Sequence, residues 1–471
     1  MSATVSTEPP PGTPFFADIR KIAVLAWPVL IGQLAIIAFG VIDTAMVGRY
    51  SATDLAALGL GASIYISVYI TLTGILTALQ PIVGLSYGAG RHEEIGEDVR
   101  QALWLAAALT IIGFLILYFP APPLLQLAHA PDALRERTVA YLQILAFGLP
   151  AALVFRVYSA LATAVGQPRL VMFLQVGALA LKIPLNLWLI FGGLGIAAAG
   201  GPGAALASTA LNWLLGATAL LLLVKLDVFR PFAIFARFCW PVRRRQIALL
   251  KLGIPMGASY LIEVTSYTFM AIFIARFGTT TLAGHQIAAN LGAVLYMTPL
   301  SIGIATSTLV ARALGARHDA AARTLARHGI LMACAIACCF CVIVLALRTL
   351  IVAGYTTNEH VTAAALPLVL IVAIYHICDA LQVTSAFVLR AYRIVIVPTA
   401  IYAVALWGVG LGGGYLLGFN VGGVVPPWLT GARGFWVANT VSLAVAGVGL
   451  LFYWHRVSAH PAHADDARDA T

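Results

Sequence analysis

The sequence predicts an all-α membrane protein with about twelve transmembrane helices, arranged in two six-helix lobes around a pseudo-twofold axis. Three observations lead to this prediction: a very apolar composition, long stretches without charge, and a weak internal repeat. Of the 471 residues, 61% are hydrophobic and only 10% are charged. Since soluble domains carry roughly a quarter charged residues, lipid and not water is expected to be the main solvent of this chain.

The transmembrane spans follow from uncharged stretches that are long enough to cross a bilayer. No Asp, Glu, Lys or Arg occurs from Leu55 to Gly90, from Ile183 to Val224 or from Phe277 to Ala311. Each stretch exceeds the ~20 residues that a membrane helix needs. The apolar runs predict spans at 23–47, 55–86, 97–120, 136–164, 168–192, 202–225, 248–275, 281–311, 326–353, 360–390, 394–418 and 434–455.

The basic residues orient these spans, because Lys and Arg are retained on the cytoplasmic side of a membrane. One set of connections, with both termini, holds 19 Lys and Arg residues, and the opposite set holds 6. Both termini are therefore expected in the cytoplasm, which requires an even number of spans. The formal net charge of +10 is spread between apolar segments, so no nucleic-acid partner is expected.

A weak repeat relates the two halves of the chain. Pro28 and Pro255 lie 227 residues apart, as do Arg49 and Arg276. Because six is an even number, both halves enter the membrane from the same side. This is the arrangement of parallel repeats, whose two halves can rock about a central cleft. The expected organisation is an N-terminal cytoplasmic tail (1–22), a first lobe (23–225), a basic cytoplasmic linker (226–250), a second lobe (251–456) and a disordered cytoplasmic tail (457–471).

Four ionisable residues inside the predicted spans are candidates for function: Asp43, Lys182, Glu263 and Asp379. Each costs roughly 2.5–3.5 kcal/mol on insertion scales, which makes such residues rare in spans. Carboxylates in these positions suit a proton or a hard cation such as Na⁺. The alternative is that fixed partners neutralise them and that they only hold helices together. Lys182 fits either a permanent counter-ion for Asp43 or a charge that repels substrate.

Aromatic side chains in the spans are candidates for substrate contact, because they attract organic cations through cation–π interaction. These candidates are Tyr260, Tyr267, Tyr296 and Tyr375. Packing alone also explains aromatic residues in a membrane interior. Arg156 is more typical of an arginine that snorkels from a helix end, and His285 and His376 are more typical of packing residues than of proton relays.

Several short segments share their order and positions with one family of transporters. In chain order they are Pro28-Val29-Leu30 with Gln33, Val41 to Gly48, Asp54-Leu55-Ala56-Ala57, Gln80-Pro81, Tyr87-Gly88-Ala89-Gly90, Pro184-Leu185-Asn186, Tyr260-Leu261-Ile262-Glu263, His285-Gln286, and Asp379 before Leu389-Arg390-Ala391-Tyr392. Through these segments the chain resembles the MATE (multidrug and toxic compound extrusion) transporters, specifically their NorM branch, over nearly its whole length.

The resemblance implies a secondary active transporter that exports lipophilic organic cations in exchange for Na⁺ or H⁺ by alternating access. It implies a multi-pass protein of the bacterial inner membrane that is not an enzyme and uses no cofactor. We expect a monomer, with drugs, dyes and the lipid bilayer as its partners.

The resemblance also assigns site residues. The family's cation-site acids fall on Glu263 and Asp379, which are candidates to hold Na⁺, and on Asp43 in the first lobe. Asn186 belongs to the same first-lobe region, where the family often has an amide in place of Lys182. A protonated Lys182 would take the role of a bound cation beside Asp43, so coupling is expected to depend mainly on the second lobe.

Two further glutamines in the matching segments, Gln33 and Gln286, join the four tyrosines as candidate substrate contacts. A flippase for lipid-linked saccharides is the alternative function. A flippase needs several cationic groups for a pyrophosphate, whereas these spans offer three acids and one clear lysine. An enzyme is not expected, because no nucleophile-elbow, phosphate-loop or His-rich pattern occurs.

Overall fold

The computed structural model confirms the all-α fold. It describes residues 15–119, 131–193, 195, 197–236 and 238–459, so the expected tails lie outside it up to residue 14 and from residue 460. Twelve helices in these described ranges are long and apolar enough to cross a membrane. They are α1 (Phe15–Tyr50), α2 (Ala52–Gly88), α3 (His92–Tyr118), α4 (Asp132–Ala164), α5 (Pro168–Phe191), α6 (Gly201–Lys225), α7 (Arg243–Ala275), α8 (Thr279–Gly315), α9 (Asp319–Tyr355), α10 (Glu359–Ala391), α11 (Ile396–Gly418) and α12 (Ala432–Ala459).

Several helices extend past the borders that the sequence suggested, and three of them do so beyond the expected limits of the lobes. Helix α1 begins at Phe15 and not at residue 23, α7 begins at Arg243 inside the expected linker, and α12 continues to Ala459. Hydropathy marks only the part of a helix that faces lipid. Charged residues at a helix end continue the backbone hydrogen bonding outside the lipid, so the helices are longer than the apolar runs.

Polar caps define the starts of two helices. The Ser51 side chain accepts a hydrogen bond from the Asp54 backbone N–H before α2. The Asn358 side chain accepts hydrogen bonds from the backbone N–H groups of His360 and Val361 before α10. Such caps satisfy N–H groups that the first turn of a helix leaves free.

Helices α1–α6 and α7–α12 form two lobes, each with its own hydrophobic core. The first core consists mainly of buried residues from α2, α3, α4 and α6, with Leu149 and Leu153 fully buried. The second core lies between α7, α8, α10 and α12 and surrounds Trp436. Burial of apolar side chains within each six-helix group confirms the predicted two-lobe arrangement.

The lobes contact each other at the end that carries the basic connections. The Gln80 side chain of α2 donates a hydrogen bond to the Thr308 hydroxyl of α8 over 3.0 Å. The Arg312 guanidinium of α8 donates two hydrogen bonds, of 2.8 and 2.6 Å, to the Ala164 carbonyl at the end of α4. Both contacts use polar groups, so they can be exchanged for water when the lobes separate.

Two charged contacts at the same end are related by the internal repeat. Arg245 of α7 donates to Asp98 of α3 over 2.5 Å, and Asp18 of α1 lies 3.0 Å from His328 of α9. Asp18 and Arg245 are separated by the repeat distance of 227 residues. Each lobe therefore uses the start of its first helix to hold the third helix of the other lobe, which closes the molecule at the basic end.

The segment between α6 and α7 packs against the first lobe and does not hang free. The Arg100 guanidinium of α3 donates hydrogen bonds to the carbonyls of Ala233 (3.1 Å) and Ile234 (3.0 Å). The Trp104 indole N–H donates to the Cys239 carbonyl over 3.0 Å. This connection thus covers the basic end of α3 while it joins the lobes.

Candidate functional site

The second lobe holds two carboxylates close enough to influence each other. Asp379 lies on α10 with 2% of its surface exposed, and Glu263 lies on α7 and is half-buried. The Glu263 charge acts on Asp379 electrostatically. Asp379 comes twelve residues before Ala391 at the end of α10, which is about 18 Å along the helix. Both acids therefore lie well inside the membrane-spanning part of the protein.

Arg390 is the positive charge beside this acid pair. Its guanidinium acts electrostatically on Glu263 and donates a hydrogen bond to the Tyr260 hydroxyl over 3.1 Å. It also lies over the Phe387 ring at 4.4 Å from the centroid. Arg390 stands at the end of the predicted span 360–390, yet it is buried in the structure, with 6% of its surface exposed.

The predicted tyrosines surround the acid pair. Tyr296 of α8 lies close enough to Glu263 for the carboxylate charge to act on it. The hydroxyls of Tyr267 and Tyr375 are hydrogen-bonded to each other, and the Asp379 charge acts on both. The structure therefore brings together the second-lobe tyrosines that the sequence nominated, around the two acids.

Helix α12 closes the second-lobe site with Trp436. Its ring makes edge contacts with Tyr375 at 5.5 Å and with Tyr267 at 6.4 Å between ring centroids. Its indole N–H donates to the His285 Nδ1 over 3.2 Å, which makes His285 a packing partner of Trp436. His376 is buried against Phe340, and no described residue accepts from or donates to its Nε2.

Contacts between α7 and α11 fix the position of Glu263. The Ser259 hydroxyl, one turn before Glu263, lies 2.8 Å from the Thr399 hydroxyl. The Trp407 indole N–H donates to the Thr265 hydroxyl over 3.2 Å. Residues Ala403–Gly412 of α11 form a π-helical stretch, a feature that occurs frequently at functional sites. Helix α7 is thus hydrogen-bonded to α11 both before Glu263, at Ser259, and after it, at Thr265.

The first lobe contains a different, internally paired cluster. Lys182 of α5 lies 2.9 Å from the Asp43 carboxylate of α1, and the Asn186 amide donates to the same carboxylate over 2.7 Å. Lys182 also donates to the Ser208 hydroxyl of α6. Lys182 and Asp43 are 1% and 7% exposed. The Asp43 carboxylate is therefore paired within the protein, with the buried Lys182 amine as its partner.

Arg156 lies inside the first lobe, eight residues before the end of α4 at Ala164. It is half-buried and lines a small cavity together with Gln33, Gln80 and Gln175. Of the two candidate glutamines, Gln33 lines this cavity, whereas Gln286 has an exposed side chain on α8.

Arg390 and Ser208 were not nominated as site residues from the sequence. A signal for Arg390 was present, because it follows Asp379 by eleven residues, which is about three helical turns and places both on one face of α10. Ser208 gave no signal, since a serine in a membrane helix commonly bonds its own backbone.

Two six-helix lobes, each with buried ionisable side chains on its membrane-spanning helices, are typical of a polytopic membrane transport protein. A family model described as MatE matches residues 28–188 in the first lobe and 255–416 in the second. The chain belongs to this family, the MATE transporters of multidrug and toxic compound extrusion. It is a transporter and not an enzyme, as predicted.

Similar proteins with curated names cover nearly the whole chain. A probable multidrug resistance protein NorM from Aromatoleum aromaticum is 39% identical over 429 residues, which are 91% of this chain and 92% of that protein. The multidrug resistance protein PmpM from Pseudomonas aeruginosa is 36% identical over 434 residues, which are 92% of this chain and 90% of that protein. These bacterial relatives, with the twelve spans, place the chain in the inner membrane as a multi-pass protein.

Solved structures share the fold. The eukaryotic MATE transporter AtDTX14 has a TM-score of 0.86 at 20% identity, over 97% of this chain and 99% of that chain. The Vibrio cholerae MATE transporter VcmN in its bent form has a TM-score of 0.83 at 18% identity, also over 97% and 99%. The two-lobed MATE-like architecture is thereby confirmed, and a lipid-linked saccharide flippase is not favoured.

Proposed function

We propose that the chain is a cation/drug antiporter that exports lipophilic organic cations in exchange for Na⁺ or H⁺. The observation that carries this proposal is the pair of buried Asp379 and half-buried Glu263, which has a nearby positive charge on Arg390. Two ionised carboxylates and one guanidinium leave a net charge of about −1, which is costly in a low-dielectric interior. One proton or one Na⁺ neutralises the cluster.

The first lobe has no such need for a cation. Asp43 is paired with Lys182 at 2.9 Å, and Asn186 and Ser208 supply neutral hydrogen-bond partners. The ammonium and the carboxylate cancel, so the cluster remains neutral without a bound ion. Coupling therefore resides mainly in the second lobe, with Asp43, Asn186 and Lys182 holding α1, α5 and α6 together.

A Na⁺ ion at the second-lobe site would be held by oxygen atoms. Among the described residues no group of three or more His, Cys, Asp and Glu side chains is arranged to bind a metal. Glu263 and Asp379 supply carboxylate oxygens, and the hydroxyls of Tyr267 and Tyr296 are neutral oxygen donors nearby. Hard cations bind to oxygen ligands of this kind, and a proton requires only one carboxylate.

The exchange follows from two arrangements of the lobes. Ion binding neutralises the acids, and an organic cation bound near Tyr260, Tyr267, Tyr296, Tyr375 and Gln33 would compete for the same negative charge. Transport requires only that the ion and the drug favour different arrangements. If both termini lie in the cytoplasm, as the basic connections predict, the contacts at the basic end would close the cytoplasmic side.

Export of ethidium into everted membrane vesicles tests the proposal. The protein is assumed to transport as a monomer. One set of vesicles receives only a Na⁺ gradient, and a second set receives only a pH gradient. We expect ethidium to accumulate under one gradient and to leave when the gradient is collapsed. Accumulation under neither gradient, with the protein present in the membrane and folded, would overturn the proposal of a cation/drug antiporter.

A further inference from the structure

A cavity at the basic end of the molecule is lined by both lobes. Its volume is about 330 Å³, within the range of roughly 300–1,000 Å³ that is usual for sites of small ligands. The first lobe contributes residues from α2 and the start of α3, and the second lobe contributes residues from the start of α7 and from the connection between α10 and α11. The charged lining residues are Arg91, Glu94, Asp98, Arg244, Arg245 and Arg393.

Positive charge is in excess in this lining. Four guanidinium groups and two carboxylates give it a formal net charge of +2. Both carboxylates are already paired, because Arg245 donates to Asp98 over 2.5 Å and Arg91 lies 3.2 Å from Glu94. The exposed Arg244 side chain makes no ion pair or hydrogen bond with any other described residue. Its guanidinium can therefore bind an anion without breaking a contact within the described part of the protein.

Like charges from the two lobes also act on each other beside the cavity. Arg393 is half-buried and lies between the end of α10 and the start of α11. Burial lowers the pKa of its guanidinium, and the positive charge of Arg91 lowers it further, while Asp98 opposes both effects. Because Arg91 belongs to the first lobe and Arg393 to the second, an anion between the lobes would reduce this repulsion.

We propose that this cavity binds an anionic phosphate group, carried by a phospholipid or by free phosphate, between the two lobes. Guanidinium groups bind phosphate oxygens through paired, charge-assisted hydrogen bonds. Basic pockets between membrane helices are typical sites for anionic head groups. The inference goes beyond the proposed antiport, since phosphate binding requires neither the organic cation nor the coupling ion.

A phosphate group held by both lobes would favour the arrangement in which the basic end is closed. Separation of the lobes at this end would take Arg91 away from Arg244, so only the closed arrangement offers both guanidinium groups to one ligand. A ligand shifts an equilibrium by its difference in affinity for the two states. The bound anion would thus act as a bridge across the contacts between α3 and α7.

Binding to the purified full-length protein in detergent tests the site. Inorganic phosphate is titrated by isothermal calorimetry at constant ionic strength, and phosphatidylglycerol binding is measured by native mass spectrometry, with phosphatidylcholine for comparison. We expect Arg91→Gln and Arg244→Gln each to weaken binding of the probe that the wild type binds by about tenfold or more, the size of a lost charge-assisted hydrogen bond. Arg243→Gln is the matched control, because Arg243 is exposed beside Arg244 and is not among the described lining residues.

The two probes distinguish the sources of the phosphate group. Binding of phosphatidylglycerol alone would identify a lipid head group, and binding of inorganic phosphate would identify a soluble anion; either result supports the site. Binding of neither probe, or an equal loss in Arg243→Gln, would overturn it. A loss in Arg244→Gln without one in Arg91→Gln would contradict a site shared by both lobes. These binding results leave the proposed antiport untouched, since ethidium export tests that separately.

Discussion

Gly88 and Gly315 occupy equivalent positions in the two halves, and each packs against the backbone of the other's helix. They are separated by the 227-residue repeat distance. A Cβ atom on Gly88 would overlap with the Arg312 carbonyl, and one on Gly315 would overlap with the Leu85 carbonyl. Leu85 and Arg312 are separated by the same repeat distance. The crossing of α2 and α8 is therefore a reciprocal contact on the pseudo-twofold axis.

Larger side chains at this crossing should hold the lobes apart. Gly88→Leu and Gly315→Leu are each expected to lower export strongly, because the basic end cannot close, and to cost about 1–3 kcal/mol of stability through overpacking. Ethidium accumulation in vesicles and thermal unfolding in detergent provide the measurements. Gly292→Ala on α8, where no heavy atom lies within 4 Å of the added Cβ, is the control. Unimpaired export by both leucine variants would contradict a closing contact here.

The Asp43–Lys182 pair should behave as one neutral unit. Lys182→Met leaves a buried carboxylate without its partner, and removal of one member of a buried pair typically costs about 3–5 kcal/mol. Adding Asp43→Asn should recover most of that loss, because no buried charge remains. Thermal unfolding of the two single variants and the double variant measures the coupling. Additive losses in the double variant would show that the two side chains do not neutralise each other.

Arg390 should stabilise the second lobe through its charge. Arg390→Gln removes the hydrogen bond to Tyr260 and the contact with Phe387, with an expected loss of about 2 kcal/mol of unfolding free energy. Glu263→Gln in the same chain should reduce that loss, since it removes one of the two carboxylates that Arg390 offsets. A loss that is the same in both backgrounds, measured by thermal unfolding, would separate Arg390 from the acid pair.

The Tyr267 and Tyr375 hydroxyls form one hydrogen bond, so their removal should not be additive. Tyr267→Phe and Tyr375→Phe are each expected to cost about 1 kcal/mol of unfolding free energy. The double variant should cost hardly more than either single variant, because no unsatisfied hydroxyl remains. Twice the loss in the double variant would mean that each hydroxyl has an independent partner.

Much of the fold was predictable because a bilayer imposes a strong pattern on a sequence. The uncharged stretches mark the spans, and the spacing of Pro28 and Pro255 marks the repeat. The true start of α1 at Phe15 was not predictable, because Asp18, Arg20 and Lys21 break the apolar pattern while the helix continues. Hydropathy reports contact with lipid and not the length of a helix.

The candidate site was predictable in its acids and less so in its positive charges. Rarity inside spans singled out Glu263 and Asp379 from sequence alone. Arg390 resembles the basic residues that flank membrane helices, so only tertiary packing distinguishes it. Its burial depends on where neighbouring helices cross, and a one-dimensional charge pattern does not contain that information.

The central claim is that ion coupling resides in the second lobe. The most direct test compares gradient-driven export by the Asp379→Asn variant with export by the double variant Asp43→Asn/Lys182→Met, in which the first-lobe pair is neutral. Both variants are measured as ethidium accumulation in everted vesicles under the gradient that drives the wild type. The account predicts that Asp379→Asn abolishes gradient-driven accumulation, while the first-lobe variant retains it. Accumulation that survives in Asp379→Asn and disappears in the first-lobe variant would contradict coupling through the second lobe.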